Sequence, residues 1–180
     1  MQHLSKDQVR ALLAAARATR ERDWLMILVG YWHGLRASEV VGLTRDNVRD
    51  GHLVVPRLKG SMKTRQPLVK HADPLFDEAS ALLDYVEKLA ETDKIFPVSR
   101  STFWRLVRRY GAAAGIPRDL AHPHILKHSI AMQTIHSAGI ENVRQYLGHK
   151  SLSSTGAYLK VDDKAASSAV TGAAGAVEST

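Results

Sequence analysis

His52-Leu53-Val54-Val55-Pro56 is entered through Asp50-Gly51 and followed by Arg57-Leu58-Lys59-Gly60-Ser61-Met62-Lys63 and then Gln66-Pro67-Leu68-Val69. This stretch interrupts a sequence that otherwise has the spacing of helices. Asp-Gly is a turn signal, and the β-branched run beyond it favours a pleated strand. Residues 59–63 make a second, basic turn before the next apolar run. The region is therefore expected to form a small antiparallel sheet between two helical blocks. The fold class is mainly α with a small antiparallel β-sheet (α+β).

Working outward, the N-terminal block opens on Ser5-Lys6-Asp7-Gln8, a capping-box pattern. Val9, Leu12, Leu13 and Ala16 follow at helical spacing. A second helix is expected over 22–32, with Trp24, Ile27, Leu28 and Tyr31 inward. Gly34 ends it, and Ala37-Ser38-Glu39-Val40-Val41 gives a short third. Beyond the sheet, Ala79, Leu82, Leu83, Val86 and Leu89 define one helix face, and Phe103, Leu106, Val107 and Tyr110 another. Gly115-Ile116-Pro117 closes the latter. Helices are expected over 124–138, between Pro123 and Gly139, then over 140–147 and 152–159. From Val161 onward the chain is mostly Ala, Ser, Gly and Thr, a tail distinct from residues 1–160.

The chain has 180 residues, of which 44% are hydrophobic and 24% charged, enough for a domain with a core of its own. It has no cysteine, which excludes disulfides, thiolate zinc sites and cysteine nucleophiles. The longest apolar run, over 24–32, is far short of the ~20 residues a spanning helix needs. The first residues lack the apolar core of a secretory signal, so a cytoplasmic protein is expected. Twenty-five Lys+Arg against 18 Asp+Glu leave a formal charge of +7. That balance favours a polyanionic partner such as nucleic acid, whose condensed counterions are released on binding.

Four segments carry candidate chemistry. In His122-Pro123-His124-Ile125-Leu126-Lys127-His128, helical spacing puts His124, Lys127 and His128 on one face. Two histidines four apart also suit zinc, but the intervening Glu of a metallopeptidase and a third ligand are missing. Tyr146-Leu147-Gly148-His149-Lys150-Ser151 reads as a helix end, a tight turn and a new cap, with His149 in the turn. Thr155-Gly156-Ala157-Tyr158 leaves a phenol with little bulk beside it. Gly34-Leu35-Arg36-Ala37-Ser38-Glu39 sets an arginine at a helix start with a carboxylate three residues on, either an orienting ion pair or a phosphate clamp.

Taken in order, Arg36, Lys59, His124, Lys127, His149 and Tyr158 make a pattern that resembles the catalytic domain of the tyrosine recombinases, the integrase family of site-specific DNA recombinases. The matching stretches are Gly34-Leu35-Arg36-Ala37-Ser38-Glu39-Val40, Arg57-Leu58-Lys59-Gly60, His122-Pro123-His124-Ile125-Leu126-Lys127-His128-Ser129, Tyr146-Leu147-Gly148-His149 and the Tyr158 segment. The resemblance runs from about Leu4 to Val161. It implies a catalytic domain over 1–160 that cuts and rejoins double-stranded DNA through a 3′-phosphotyrosyl intermediate, with no cofactor and no metal. It also implies a homotetramer on paired sites, a monomer or dimer off DNA, and a tail over 161–180 that packs on a neighbouring subunit.

Residue by residue, the resemblance makes Tyr158 the nucleophile and Arg36 the phosphate clamp. His149 donates to a non-bridging oxygen, and His124 moves a proton with the nucleophile. Lys59 protonates the leaving 5′-oxygen, a role for which Lys63 in the same turn is the alternative. Lys63, Arg65, Arg100, Arg105, Arg108 and Arg109 are candidate DNA contacts, which position the duplex without reading it. One position departs from the family, where the second box reads His-x-x-Arg and this chain has Lys127. Lysine keeps the charge but not the planar fork. The pattern begins near Met1, so the resemblance implies either a natural short form similar to the fimbrial phase-variation recombinases or an excised catalytic domain, and the stretches 33–39 and 57–60 favour the short form as the expectation. A DNA-binding regulator with a decayed site, and a type IB topoisomerase-like strand breaker, are the alternatives.

Overall fold

A computed structural model describes residues 2–57 and 62–148 of the chain. Its first helix, α1 (Lys6–Thr19), opens on the expected capping box. The Ser5 hydroxyl accepts from the Gln8 N–H at 3.1 Å, and the Gln8 side chain accepts from the Ser5 N–H at 2.9 Å. Val9, Leu12, Leu13 and Ala16 are its buried stripe. α2 (Glu21–Trp32) differs from expectation in being buried over every residue from Asp23 to Tyr31, not on one face. It is the central helix, packed by α1 and by three later helices, and an all-round apolar helix needs such surroundings. Its one acidic core residue, Asp23, accepts from the Tyr110 hydroxyl at 2.7 Å and from Arg22 at 2.7 and 2.9 Å. Gly34, at φ 56°, turns the chain out of α2 into α3 (Ala37–Val40).

A 3-10 turn at Arg45–Asn47 leads to the sheet, which has three strands in the order β1 (Val48–Arg49), β2 (His52–Val55) and β3 (Thr64–Pro67). Both pairings are antiparallel, with Val48 opposite Leu53 and Leu53 opposite Gln66. Asp50 and Gly51 hold φ of 50° and 69°, the left-handed pair that a tight hairpin between twisted strands requires. The third strand begins two residues earlier than its apolar run suggests, because Thr64 and Gln66 face inward as hydrogen-bonding groups.

The second helical block holds α4 (Glu78–Val86), α5 (Arg100–Ala113), α6 (Pro123–Ala138) and α7 (Ile140–Tyr146). α4 and α5 bury narrower stripes than expected: Leu83 is 47% exposed and Leu106 only partly buried. α6 packs on α2, α5 and α7 and buries Ile125, Leu126, Ile130 and Ala131. Its Ser129 hydroxyl accepts from the Leu4 N–H, and Gln133 donates to the Leu4 carbonyl, so the first residues close onto this helix. The Ser151 cap, the helix expected over 152–159 and the tail over 161–180 lie outside the described residues. So do Lys59, His149 and Tyr158.

Candidate active site

A cleft of about 670 Å³ opens between the start of α3, the exposed face of α5 and the start of α6. Arg36, Ser38, Arg100, Trp104, Arg105 and His124 are among its lining residues. Three of the six are arginines, so the cleft presents a concentrated positive potential. Arg36 sits at the N-cap of α3. Its backbone N–H donates to Glu39 Oε2 at 2.8 Å and its Nη1 to Glu39 Oε1 at 3.2 Å, the orienting pair that the three-residue spacing suggested. The Glu39 side chain is fully buried, whereas a third of the Arg36 side chain remains exposed to the cleft.

Pro123 at the first position of α6 places His124 at the cleft, since a helix start tolerates a missing N–H. The His124 ring meets that of His128 edge-on, with centroids 4.3 Å apart. Partial burial, then the electrostatic influence of Lys127, His122 and Arg36, push His124 below its ordinary range. Burial followed by His124 lowers His128 to about 4, which keeps it neutral near pH 7. Among the described residues, no three His, Cys, Asp or Glu gather as a metal would require.

Lys127, three residues on in the same helix, is buried where His124 is exposed: it is 2% exposed, with Nζ donating to the Leu147 carbonyl at 3.3 Å. Burial, reinforced by Arg57 and Arg36 and opposed by Glu39, brings it down to about 7. Its charge is thus balanced on a small change in surroundings.

The candidate DNA contacts divide between surfaces. Arg100 and Arg105 line the cleft, and the Arg108 guanidinium stacks on Trp104 at 4.6 Å. Trp104 is itself 43% exposed, an aromatic platform the sequence reading passed over. Arg109 lies over Tyr110, 5.9 Å from the ring centre. Lys63 and Arg65 line a separate recess of about 390 Å³ beside α7, and Arg65 Nη2 is 4.0 Å from Asp50 Oδ2. The Tyr146 phenol, raised by burial, donates to the Trp32 carbonyl at 2.9 Å and is not among the cleft-lining residues.

Two buried polar groups escaped the sequence reading as individual residues. Arg57 fills the space between α3, β3 and α7, and a trace of this was present in the sequence: it continues the inward alternation of Leu53 and Val55. His33 is wholly enclosed, with Nε2 2.7 Å from Glu78 Oε1 and Nδ1 3.0 Å from Gln66 Oε1. No local pattern announces this pair, because its members are 45 residues apart.

Comparison with known proteins bears on this geometry. The profile described as "Phage integrase family" matches residues 2–165. The tyrosine recombinase XerA of Thermococcus kodakarensis is 35% identical over 168 residues, covering 88% of this chain and 57% of that protein. The tyrosine recombinase XerD of Xanthomonas campestris pv. campestris is 37% identical over 177 residues, covering 88% and 54%. This chain therefore spans somewhat over half the length of these relatives. Among solved structures, XerA recombinase superposes with a TM-score of 0.76 at 24% identity, covering 95% of this chain and 64% of that one. A lambda integrase dimer bound to a COC′ core site gives 0.72 at 23% identity, covering 91% and 50%. These two likenesses establish a shared fold.

Proposed function

Because this chain belongs to the phage integrase family, we propose that it is a site-specific DNA recombinase that cuts and rejoins double-stranded DNA through a tyrosine. The observation that carries the reading is the arginine-rich cleft in which Arg36, held by Glu39, and His124 meet at the junction of α3, α5 and α6.

Breaking a phosphodiester needs a nucleophile, an acid for the leaving alkoxide and donors for the charge on the non-bridging oxygens. Tyr158 attacks the phosphorus, the bond to the 5′-oxygen breaks, and the phosphate stays on the tyrosine as a 3′-linked ester. The phenol proton passes toward His124, whose lowered affinity for protons leaves it free to accept one. Lys59 protonates the departing 5′-oxygen, with Lys63 as the alternative. Arg36 and His149 bond the non-bridging oxygens, and Lys127 adds positive charge beside Arg36. The ester conserves the bond's free energy, so rejoining needs no nucleotide and no metal. Arg100, Arg105 and Arg108 hold the duplex backbone along α5, and Lys63 and Arg65 hold it at the hairpin.

The domain over 1–160 carries these groups, and the tail over 161–180 engages a neighbouring subunit when four copies assemble on two paired sites. The test uses a pool of nicked duplexes with randomised cores, in which the nick lets the cleaved strand diffuse away. Wild type is expected to leave a covalent protein–DNA adduct and Tyr158→Phe none. An adduct that persists in Tyr158→Phe overturns the assignment of the nucleophile. Tight DNA binding without any adduct favours a regulator, a second reading suggested by Lys127 standing where the family's fork would be.

A further inference from the structure

Three consecutive backbone carbonyls at the C-terminal end of α7 are each bonded from another element. The Tyr146 carbonyl accepts from Arg57 Nη2 at 3.2 Å and Gln66 Nε2 at 2.7 Å. The Leu147 carbonyl accepts from Lys127 Nζ, and the Gly148 carbonyl from the Met62 N–H at 3.0 Å. The last carbonyls of a helix lack partners within it, and two of these four donors, the Arg57 guanidinium and the Lys127 amine, stand at the negative end of the helix dipole, which favours positive charge.

Arg57 does more than cap. Its side chain is fully buried. Nη1 donates to the Gly34 carbonyl at 3.2 Å and to Glu39 Oε2 at 3.2 Å, Nη2 also donates to the His33 carbonyl at 3.0 Å, and Nε donates to Thr64 Oγ1 at 3.1 Å. Glu39 is the carboxylate that holds Arg36. One planar guanidinium thus joins the loop that presents Arg36 to the helix end after which the chain runs directly into His149. The fit is tight: a Cβ on Gly148 would lie 2.8 Å from the Met62 carbonyl oxygen and 3.2 Å from Arg57 Cγ. A Cβ on Gly34 would overlap Leu147.

We infer that Arg57 is a positioning residue for strand cleavage, fixing the separation between the Arg36 loop and the C-terminal end of α7 so that groups on either side of that junction act on one phosphate. The inference rests on the recombinase reading above. A lysine at 57 keeps the charge but has no fork with which to span the His33, Gly34 and Tyr146 carbonyls. A merely structural arginine would move stability alone. A positioning one moves the rate of the chemical step at constant DNA affinity, because small displacements of reacting groups are amplified in the barrier.

The experiment uses the full chain with a nicked duplex that wild type cleaves, reading the single-turnover rate of adduct formation and, separately, affinity for the intact duplex. Arg57→Lys is expected to bind within about twofold of wild type and to form adduct roughly 10- to 100-fold more slowly. Thr64→Val removes the acceptor for Arg57 Nε without touching the charge. It is expected to slow adduct formation by about two- to tenfold, and Thr64→Ser to restore most of the rate. Wild-type rates in both Arg57→Lys and Thr64→Val overturn the inference, as does parallel loss of binding and cleavage. If Arg57→Lys fails to fold, the Thr64 pair decides. If wild type itself forms no adduct on any duplex, the recombinase reading fails and this inference falls with it.

Discussion

Lys127 is the residue whose behaviour separates a working site from a decayed one. It is a buried amine among Arg57, Arg36 and Glu39, and its protonation near neutral pH is set chiefly by burial. Charge at this position should stabilise the extra negative charge of the transition state, so Lys127→Met is expected to slow adduct formation by roughly 100-fold or more. Lys127→Arg should preserve or raise the rate, since a guanidinium stays charged at any working pH; a large fall would mean that position 127 does not face the phosphate. Titration supplies a second check. The amine binds its proton less tightly when folded, about 7 against an ordinary 10.5, so the unfolded chain carries more protons between those values. The associated stability is therefore full above about pH 10.5 and lost as pH falls through about 7. Relative to Lys127→Met, the melting temperature of the DNA-free protein should rise from pH 7 to pH 10; a flat difference would contradict the burial of the charge.

At the scale of elements, α5 is expected to be the arm that grips DNA. Arg105 lines the cleft on the same helix as Arg100 and the Trp104–Arg108 stack. If it neutralises one phosphate, Arg105→Ala should weaken binding on all sequences alike and reduce the slope of log affinity against log salt by about 1. An unchanged slope would remove Arg105 from the interface. The junction of α5 and α6 is close-packed, and a Cβ on Gly111 would lie 2.7 Å from the Ala121 Cβ. Gly111→Ala should therefore destabilise the fold by about 1–3 kcal/mol, read as a lowered denaturant midpoint. The helices were legible because apolar spacing of 3.6 is a local property, and the capping box at Ser5 marked α1 directly. Their burial was less so. Leu83 fits its helix face in sequence yet points to solvent, because the stripe α4 presents to α2 is narrower than the face its apolar spacing defines.

For the whole molecule, the prediction concerns assembly and chemistry together. A chain that recombines paired sites should be small in solution and form a four-copy complex only when two duplex sites are present, as light scattering would register. A complex that stays at one copy per duplex would limit the protein to strand breakage or to binding. A chelator should leave adduct formation intact, since the steps proposed use only side-chain acids, bases and cations; strong inhibition would return attention to His124 and His128.

The sequence by itself determined the helices up to Tyr146, the inserted hairpin, the basic charge and the ordered set of residues that resembles a recombinase, because each is carried by local spacing or by residue type. Tertiary structure alone decided that Lys127 is buried with its amine on the Leu147 carbonyl, and that α2 is enclosed on every side. It also decided that Arg57 ties Glu39 to the end of α7, and that His33 meets Glu78. These facts depend on groups far apart in the chain being brought within hydrogen-bonding distance, and burial and electrostatics are properties of that proximity, which no spacing along a sequence encodes.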